Sequence, residues 1–275
     1  MRKKHAGDLL VIGGHEQKES DEDRAILAYA AKKANGSKGS IVVLTVASEE
    51  PQAMAETYRK AFGKLGVGRL EILDIRTRDE AYDPANVKKV EESSVIFFTG
   101  GDQLRITSQM GGSPLLERIL ALHKSGTPIV GTSAGAAAMS ETMLIGGPTN
   151  NSCLATLAMA PGLGLLEGVV VDSHFAERGR FGRLMGAVAQ NPNNLGLGID
   201  EDTAIHVTND EEFVVLGSGA VYVIDGSAIR YTNLSDRQKA ERIFTIHDAR
   251  VHVLGRDDRF SLKERRPIPP TETAK

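Results

Sequence analysis

Short, fully apolar runs recur through the first half of the chain, each closed by glycine or a polar turn. Residues 8–14 (Asp-Leu-Leu-Val-Ile-Gly-Gly), 39–46, 94–101 and 128–130 share this form, and 70–75 (Leu-Glu-Ile-Leu-Asp-Ile) reads as a further strand with two acidic positions. Runs without alternation read as strands buried on both faces, the pattern of a parallel sheet. Between them lie segments with helical spacing. Ile26, Leu27, Ala30 and Ala31 form one stripe behind a Ser20/Asp23 capping signal. Met54, Tyr58 and Phe62 recur at every fourth position within 51–65. Asp83 and Pro84 open a short helix to residue 90, 102–110 reads as another, and Ser113-Pro114 opens one that ends near His123. Strand–helix alternation over the first ~140 residues predicts a doubly wound, mostly parallel sheet. Ligands of such sheets bind outside the carboxyl ends of the strands. The loops at Gly13-Gly14, Gly100-Gly101 and Thr132-Ser133 are therefore expected along one edge.

The second half is less regular. Residues 145–166 carry little pattern. Residues 168–175 read as a strand ending on a polar pair, 181–188 as a helix, and 194–203 as a strand ending in an acidic cluster. From Ala204 the texture changes to short runs at 204–207, 213–216, 220–224 and 229–232, split by turn residues. That predicts an antiparallel meander on the sheet edge. The expected organisation is one α/β domain over 1–264 and a disordered tail over 265–275.

Bulk composition narrows the function classes. The chain has 275 residues, 41% of them hydrophobic, so its core can be large. Against 36 acidic residues stand 33 basic ones, a net charge of −3. That balance offers no electrostatic case for binding nucleic acid or an anionic membrane. The one cysteine, Cys153, excludes an internal disulfide framework and a cysteine-based zinc cage. The seven histidines show no metal-binding spacing, and neither a metal nor another cofactor is expected. No apolar run approaches membrane length, and the basic start lacks a signal-peptide core. A soluble cytoplasmic protein is the expectation.

The chemistry concentrates at residues 127–139, where an apolar strand turns through Gly131-Thr132-Ser133-Ala134-Gly135 into an alanine-rich helix. This G-x-S-x-G pattern is a nucleophile elbow, with the serine hydroxyl exposed on a tight strand-to-helix turn. Ser133 is the candidate nucleophile. The Ala134 N–H, with Gly101 from the Gly-Gly loop, is the candidate oxyanion hole. A serine hydroxyl needs a base. His174 follows a strand at the expected edge, and His15 is its only rival among the edge loops. An acid must hold the base, and Asp200, Glu201 and Asp202 follow the next strand; Asp172 is a further choice. The residues alone do not decide among them. Arg178, Arg180 and Arg183 lie just beyond His174, where guanidinium forks suit an acidic substrate.

Taken together, Gly-Thr-Ser-Ala-Gly-Ala (131–136), Thr-Gly-Gly-Asp-Gln-Leu (99–104), Asp172-x-His174-Phe175, Arg178-x-Arg180-x-x-Arg183 and Gly-Ile-Asp-Glu-Asp-Thr-Ala (198–204) resemble the cyanophycinase family of peptidase E-like serine peptidases. The resemblance spans nearly the whole chain. It implies a class I glutamine amidotransferase-like, flavodoxin-like fold with serine in the elbow. It implies exopeptidase cleavage of the poly-aspartate backbone of cyanophycin, releasing β-Asp-Arg dipeptides. It also implies a Ser133–His174–Glu201 triad and a homodimer without metal. Gln103, Asp172, Arg178, Arg180 and Arg183 would line the substrate pocket, the arginines holding carboxylates and Asp172 the substrate guanidinium. Two places depart from the family pattern. Ser173 stands where glutamine is expected, and is kept as a pocket residue of shorter reach. His15-Glu16-Gln17-Lys18 stands where Ala-Glu-Asp-Lys is expected. The rival readings are a peptidase E-like aspartyl dipeptidase and a non-catalytic amidotransferase-like binding module.

Overall fold

A computed structural model describes residues 6–16, 25–34, 38–146, 157–208, 211–233 and 245–269. The apolar runs form β1 (Leu9–Ile12), β2 (Ser40–Leu44), β3 (Arg69–Leu73), β4 (Val95–Phe98) and β5 (Ile129–Thr132). Every residue of β1, β2, β4 and β5 is buried, as strands covered on both faces must be. Between them run α1 (Ala25–Lys33), α2 (Pro51–Lys64), α3 (Pro84–Glu91), α4 (Gln103–Met110) and α5 (Pro114–Lys124). Asp83, Asp102 and Ser113 cap the last three, each accepting a backbone N–H of the first turn. The Ser20/Asp23 signal and Cys153 lie outside the described residues.

The helices cover both sheet faces. Ile26 and Leu27 of α1 and Tyr58 and Phe62 of α2 pack on Leu10, Ile12, Val43 and Phe97. Ile106, Met110, Leu115 and Ile119 of α4 and α5 pack on Val11, Val42, Ile96 and Phe98 on the other face. Alternate side chains of each strand thus enter opposite cores, which is the doubly wound arrangement.

The chain continues through α6 (Ala134–Ala138), β6 (Thr142–Gly146), β7 (Ala158–Pro161), β8 (Val169–Ser173), α7 (Phe181–Gln190), β9 (Leu195–Ile199), β10 (Thr203–Thr208), β11 (Glu212–Gly217), β12 (Val221–Asp225), β13 (Tyr231–Thr232), β14 (Ile246–His247), β15 (Arg250–Leu254), β16 (Arg259–Ser261) and β17 (Arg266–Ile268). Among the described residues the main sheet has nine strands in the order β17-β16-β11-β10-β1-β5-β4-β2-β3, of which β1 to β5 are parallel. A second sheet, β15-β12-β9-β8, pairs β8 and β9 in parallel. No helix among the described residues is long and apolar enough to cross a membrane.

Two expectations are corrected. The meander is divided: β10 and β11 extend the main sheet, but β12 leaves it to lie between β9 and β15. The burial patterns explain the split. β11 alternates, as at a one-sided edge, whereas Val221, Val223 and Ile224 of β12 are all buried and need cover on both faces. The tail expected from residue 265 does not begin there. Arg266–Ile268 pairs with β16, and Arg265 Nη1 lies 2.8 Å from the carboxylate of fully buried Asp225.

Candidate active site

The three glycine-containing loops do share one edge. Ser133 N donates to Ile12 O at 3.0 Å, and His174 N donates to Gly13 O at 2.8 Å. The elbow turn is as tight as its sequence demands. Ser133 has φ 52° and ψ −110°, a strained conformation for a residue with a Cβ. A Cβ on Gly135 would lie 2.4 Å from Phe98 O, so strand and turn meet there only through glycine. The helix beyond, α6, has five residues. With so short a macrodipole, individual N–H groups matter more than the helix end as a whole.

His174 stands at the end of β8, itself at positive φ (47°). Its ring lies over Gly14, where any Cβ would come within 2.4 Å of ring atom Cε1. Nε2 is 2.8 Å from Ser133 Oγ, and Nδ1 is 2.7 Å from Glu201 Oε1. The acidic triplet separates by where each side chain points. Asp200 accepts Ala176 N and Ala220 N and so staples two loops together. Asp202 accepts from Ser218 Oγ at 2.6 Å. Glu201 alone of the three meets the imidazole. Burial, opposed by the Glu201 hydrogen bond, sets the His174 pKa below the usual imidazole range, and Arg178 adds to the depression.

Beside Ser133 opens a cleft of about 160 Å³ lined by Gly101, Gln103, Ala134, Asp172, Ser173 and the three arginines, among others. Three guanidinium groups against one carboxylate leave a net charge of +2 on this lining. Two of the arginines are paired inside it. Asp172 is 2% exposed, and its two oxygens accept from Arg183 Nε at 2.6 Å, from Arg183 Nη2, and from Arg180 Nη1 at 3.3 Å. Three donors take up most of the roughly four acceptor positions of one carboxylate. Asp172 fixes the two arginines. Arg180 also donates to Ser173 O at 2.6 Å, while its Nε is buried without a partner among the described residues. Burial brings the Arg180 pKa down to about 10, against the pull of Asp172, so it remains a cation at neutral pH. Arg178 has no ion-pair partner among the described residues. Gln103 reaches across to donate to Leu144 O at 2.6 Å. A larger cavity, about 320 Å³, opens at the other end of the strands between Ala6, His123 and Leu163, and its lining has no serine, threonine or cysteine.

Sequence reasoning passed over Glu16. It is 2% exposed directly beneath the elbow, accepting from Thr132 Oγ1 at 2.7 Å and from Tyr58 Oη at 2.6 Å. Burial first, then Glu16, holds the Tyr58 phenol well above its ordinary range, so it stays the donor. An acidic residue two positions beyond Gly14 was the available signal, since a loop buried at a sheet edge needs internal acceptors. Glu16→Ala leaves two buried hydroxyls without this acceptor and is expected to lower stability by about 2–4 kcal/mol. Urea midpoints at unchanged m-value check this.

An α/β fold with a serine, a histidine and a carboxylate in hydrogen-bonded series defines a hydrolase of the serine-peptidase type. The comparisons with known proteins agree. The chain belongs to peptidase family S51, whose model matches residues 9–215. A cyanophycinase of Geminocystis herdmanii is 38% identical over 270 residues, 98% of each chain. One from a Nostoc species is 39% identical over 263 residues, 95% of this chain and 87% of the relative. The crystal structure of a peptidase from an acI-B1 Actinobacterium superposes with a TM-score of 0.67 at 21% identity, over 82% of this chain and 93% of the other. That last likeness speaks for the fold alone.

Proposed function

We propose that this peptidase cleaves the poly-aspartate backbone of cyanophycin from a chain end and releases β-Asp-Arg dipeptides. The observation that carries the reading is the Ser133–His174–Glu201 series opening onto an arginine-lined cleft. The names of the relatives support the polymer as substrate. With the reading goes a cytoplasmic homodimer.

In this mechanism Ser133 Oγ attacks the aspartyl carbonyl while His174 Nε2 takes its proton. Glu201 accepts the Nδ1–H bond, which holds the tautomer and stabilises the imidazolium. The Gly101 and Ala134 N–H groups receive the developing oxyanion. His174 then protonates the leaving amine, and water, activated in the same way, releases the acyl group. Arg178 and Arg180 offer guanidinium donors to the carboxylates of the terminal residue, with Arg183 and Asp172 fixing Arg180 in place.

Two results test the reading. Mass spectrometry of early products should find β-Asp-Arg dipeptides; longer internal fragments would contradict cleavage from an end. Because burial disfavours the protonated base, the acid limb of kcat/KM should have its midpoint below about pH 6.5. Glu201→Gln removes the partner that opposes this shift. The midpoint should move lower still, and kcat should fall by about 10²–10⁴-fold.

A further inference from the structure

The spacing of histidines along the chain shows no metal motif, yet the fold gathers His15, His174 and Glu201 from three separate loops. One ligand atom from each lies within 4.8 Å of the other two. His15 follows Gly14 at φ 47°, and its ring meets the His174 ring edge-on with centroids 5.5 Å apart. Its Nε2 is 3.9 Å from Glu201 Oε1, and its side chain is 71% exposed.

We propose that His15, His174 and Glu201 bind a divalent transition-metal ion of the zinc class, and that the bound ion switches the peptidase off. Two imidazole nitrogens and one carboxylate oxygen are a common zinc donor set, with water completing the tetrahedron. Ligand atoms around such an ion stand about 3.3 Å apart, given metal–ligand bonds of about 2.0–2.1 Å. The 3.9 Å separation between His15 and Glu201 must shorten, and the 2.7 Å separation between His174 and Glu201 must lengthen. These two changes are each about half an ångström, and the His15 and His174 nitrogens, within 4.8 Å of one another, close to the same spacing by rotation of the exposed His15 side chain. The ion would bind His174 through Nδ1, the atom now bonded to Glu201. The one proton of the neutral ring then resides on Nε2, which faces Ser133 Oγ as a donor and has no lone pair to take the serine proton. The Nδ1 proton leaves to water as the ion binds and Nε2 takes one proton up, so the ring stays neutral; removing the ion reverses the exchange and restores the base. Magnesium and calcium prefer all-oxygen ligands and fit this set poorly.

The test uses zinc chloride and reads binding and activity separately. Uptake is measured on Ser133→Ala protein by competition with a chromophoric zinc chelator, so it needs no turnover. Ser133→Ala should take up one equivalent of zinc. Adding His15→Ala should weaken that uptake at least about tenfold. Without zinc, His15→Ala alone should hydrolyse cyanophycin as fast as the wild type; with zinc, the wild type should be inhibited and His15→Ala should need at least about ten times more. Equal zinc uptake with and without His15, or inhibition of both proteins at the same zinc concentration, would overturn the site. Zinc uptake that depends on His15 but leaves the wild type active would overturn the switch. Equal inhibition by magnesium would overturn the ligand assignment. The inhibition rests on the catalytic reading of His174 and Glu201, whereas the binding measurement does not, so a failure of one is distinguishable from a failure of the other.

Discussion

Ser133→Ala is expected to lower kcat on cyanophycin by about 10⁴–10⁶-fold and leave the fold intact. The size of the loss follows from what the hydroxyl does. Without Oγ no acyl-enzyme forms, and His174 and Glu201 are left orienting a base with no nucleophile to activate. The residual rate comes from binding and from the oxyanion donors, which can still stabilise attack by water. Stability should stay within about 0.5 kcal/mol of wild type. The strained backbone at residue 133 is the same for alanine, and what is lost is one hydrogen bond at a half-buried position. Single-turnover kinetics with thermal unfolding as a control would check both halves. Near wild-type turnover would remove Ser133 from the mechanism.

Asp172→Ala is expected to cost about 3–5 kcal/mol of stability, because it leaves buried guanidinium charge uncompensated. Arg183 and Arg180 side chains are only 10% and 12% exposed, and Asp172 is their common partner. The same change should raise KM more than it lowers kcat, since the arginines lose their fixed positions while the Ser133–His174–Glu201 series keeps its bonds. Asp172→Asn retains the shape and loses the charge, and should fall between the two proteins in both measurements. A fully stable Asp172→Ala protein would show that water reaches the arginines and that their pairing contributes little.

How much of this was legible in the sequence differs from residue to residue. The elbow was legible because its chemistry is steric: Gly131 and Gly135 are glycines where a Cβ would strike backbone. His174 was legible because a strand end at the carboxyl edge is a positional statement that the apolar run already makes. The choice of Glu201 was not, since Asp200, Glu201 and Asp202 differ only in the direction each side chain takes off one turn. Only the resemblance singled it out. The pairing of Asp172 with Arg183 and Arg180 was not legible for a related reason. A carboxylate that neutralises neighbouring arginines and one that awaits a substrate cation look the same in a sequence; only the fold shows the 2.6 Å contact with Arg183. In the fold, the all-buried strands β8 and β9 read like those of the main sheet, and periodicity carries no information about which sheet a buried strand joins. The same limit hid the transfer of β12.

Under the proposed function, the arginine-lined cleft beside Ser133 serves an arginyl-aspartate polymer better than short aspartyl peptides. The most direct test is kcat/KM on cyanophycin against kcat/KM on Asp-Leu, with the same protein preparation. The cleft chemistry predicts a preference for cyanophycin of at least about 100-fold. Equal values, or faster hydrolysis of Asp-Leu, would contradict it and identify an aspartyl dipeptidase.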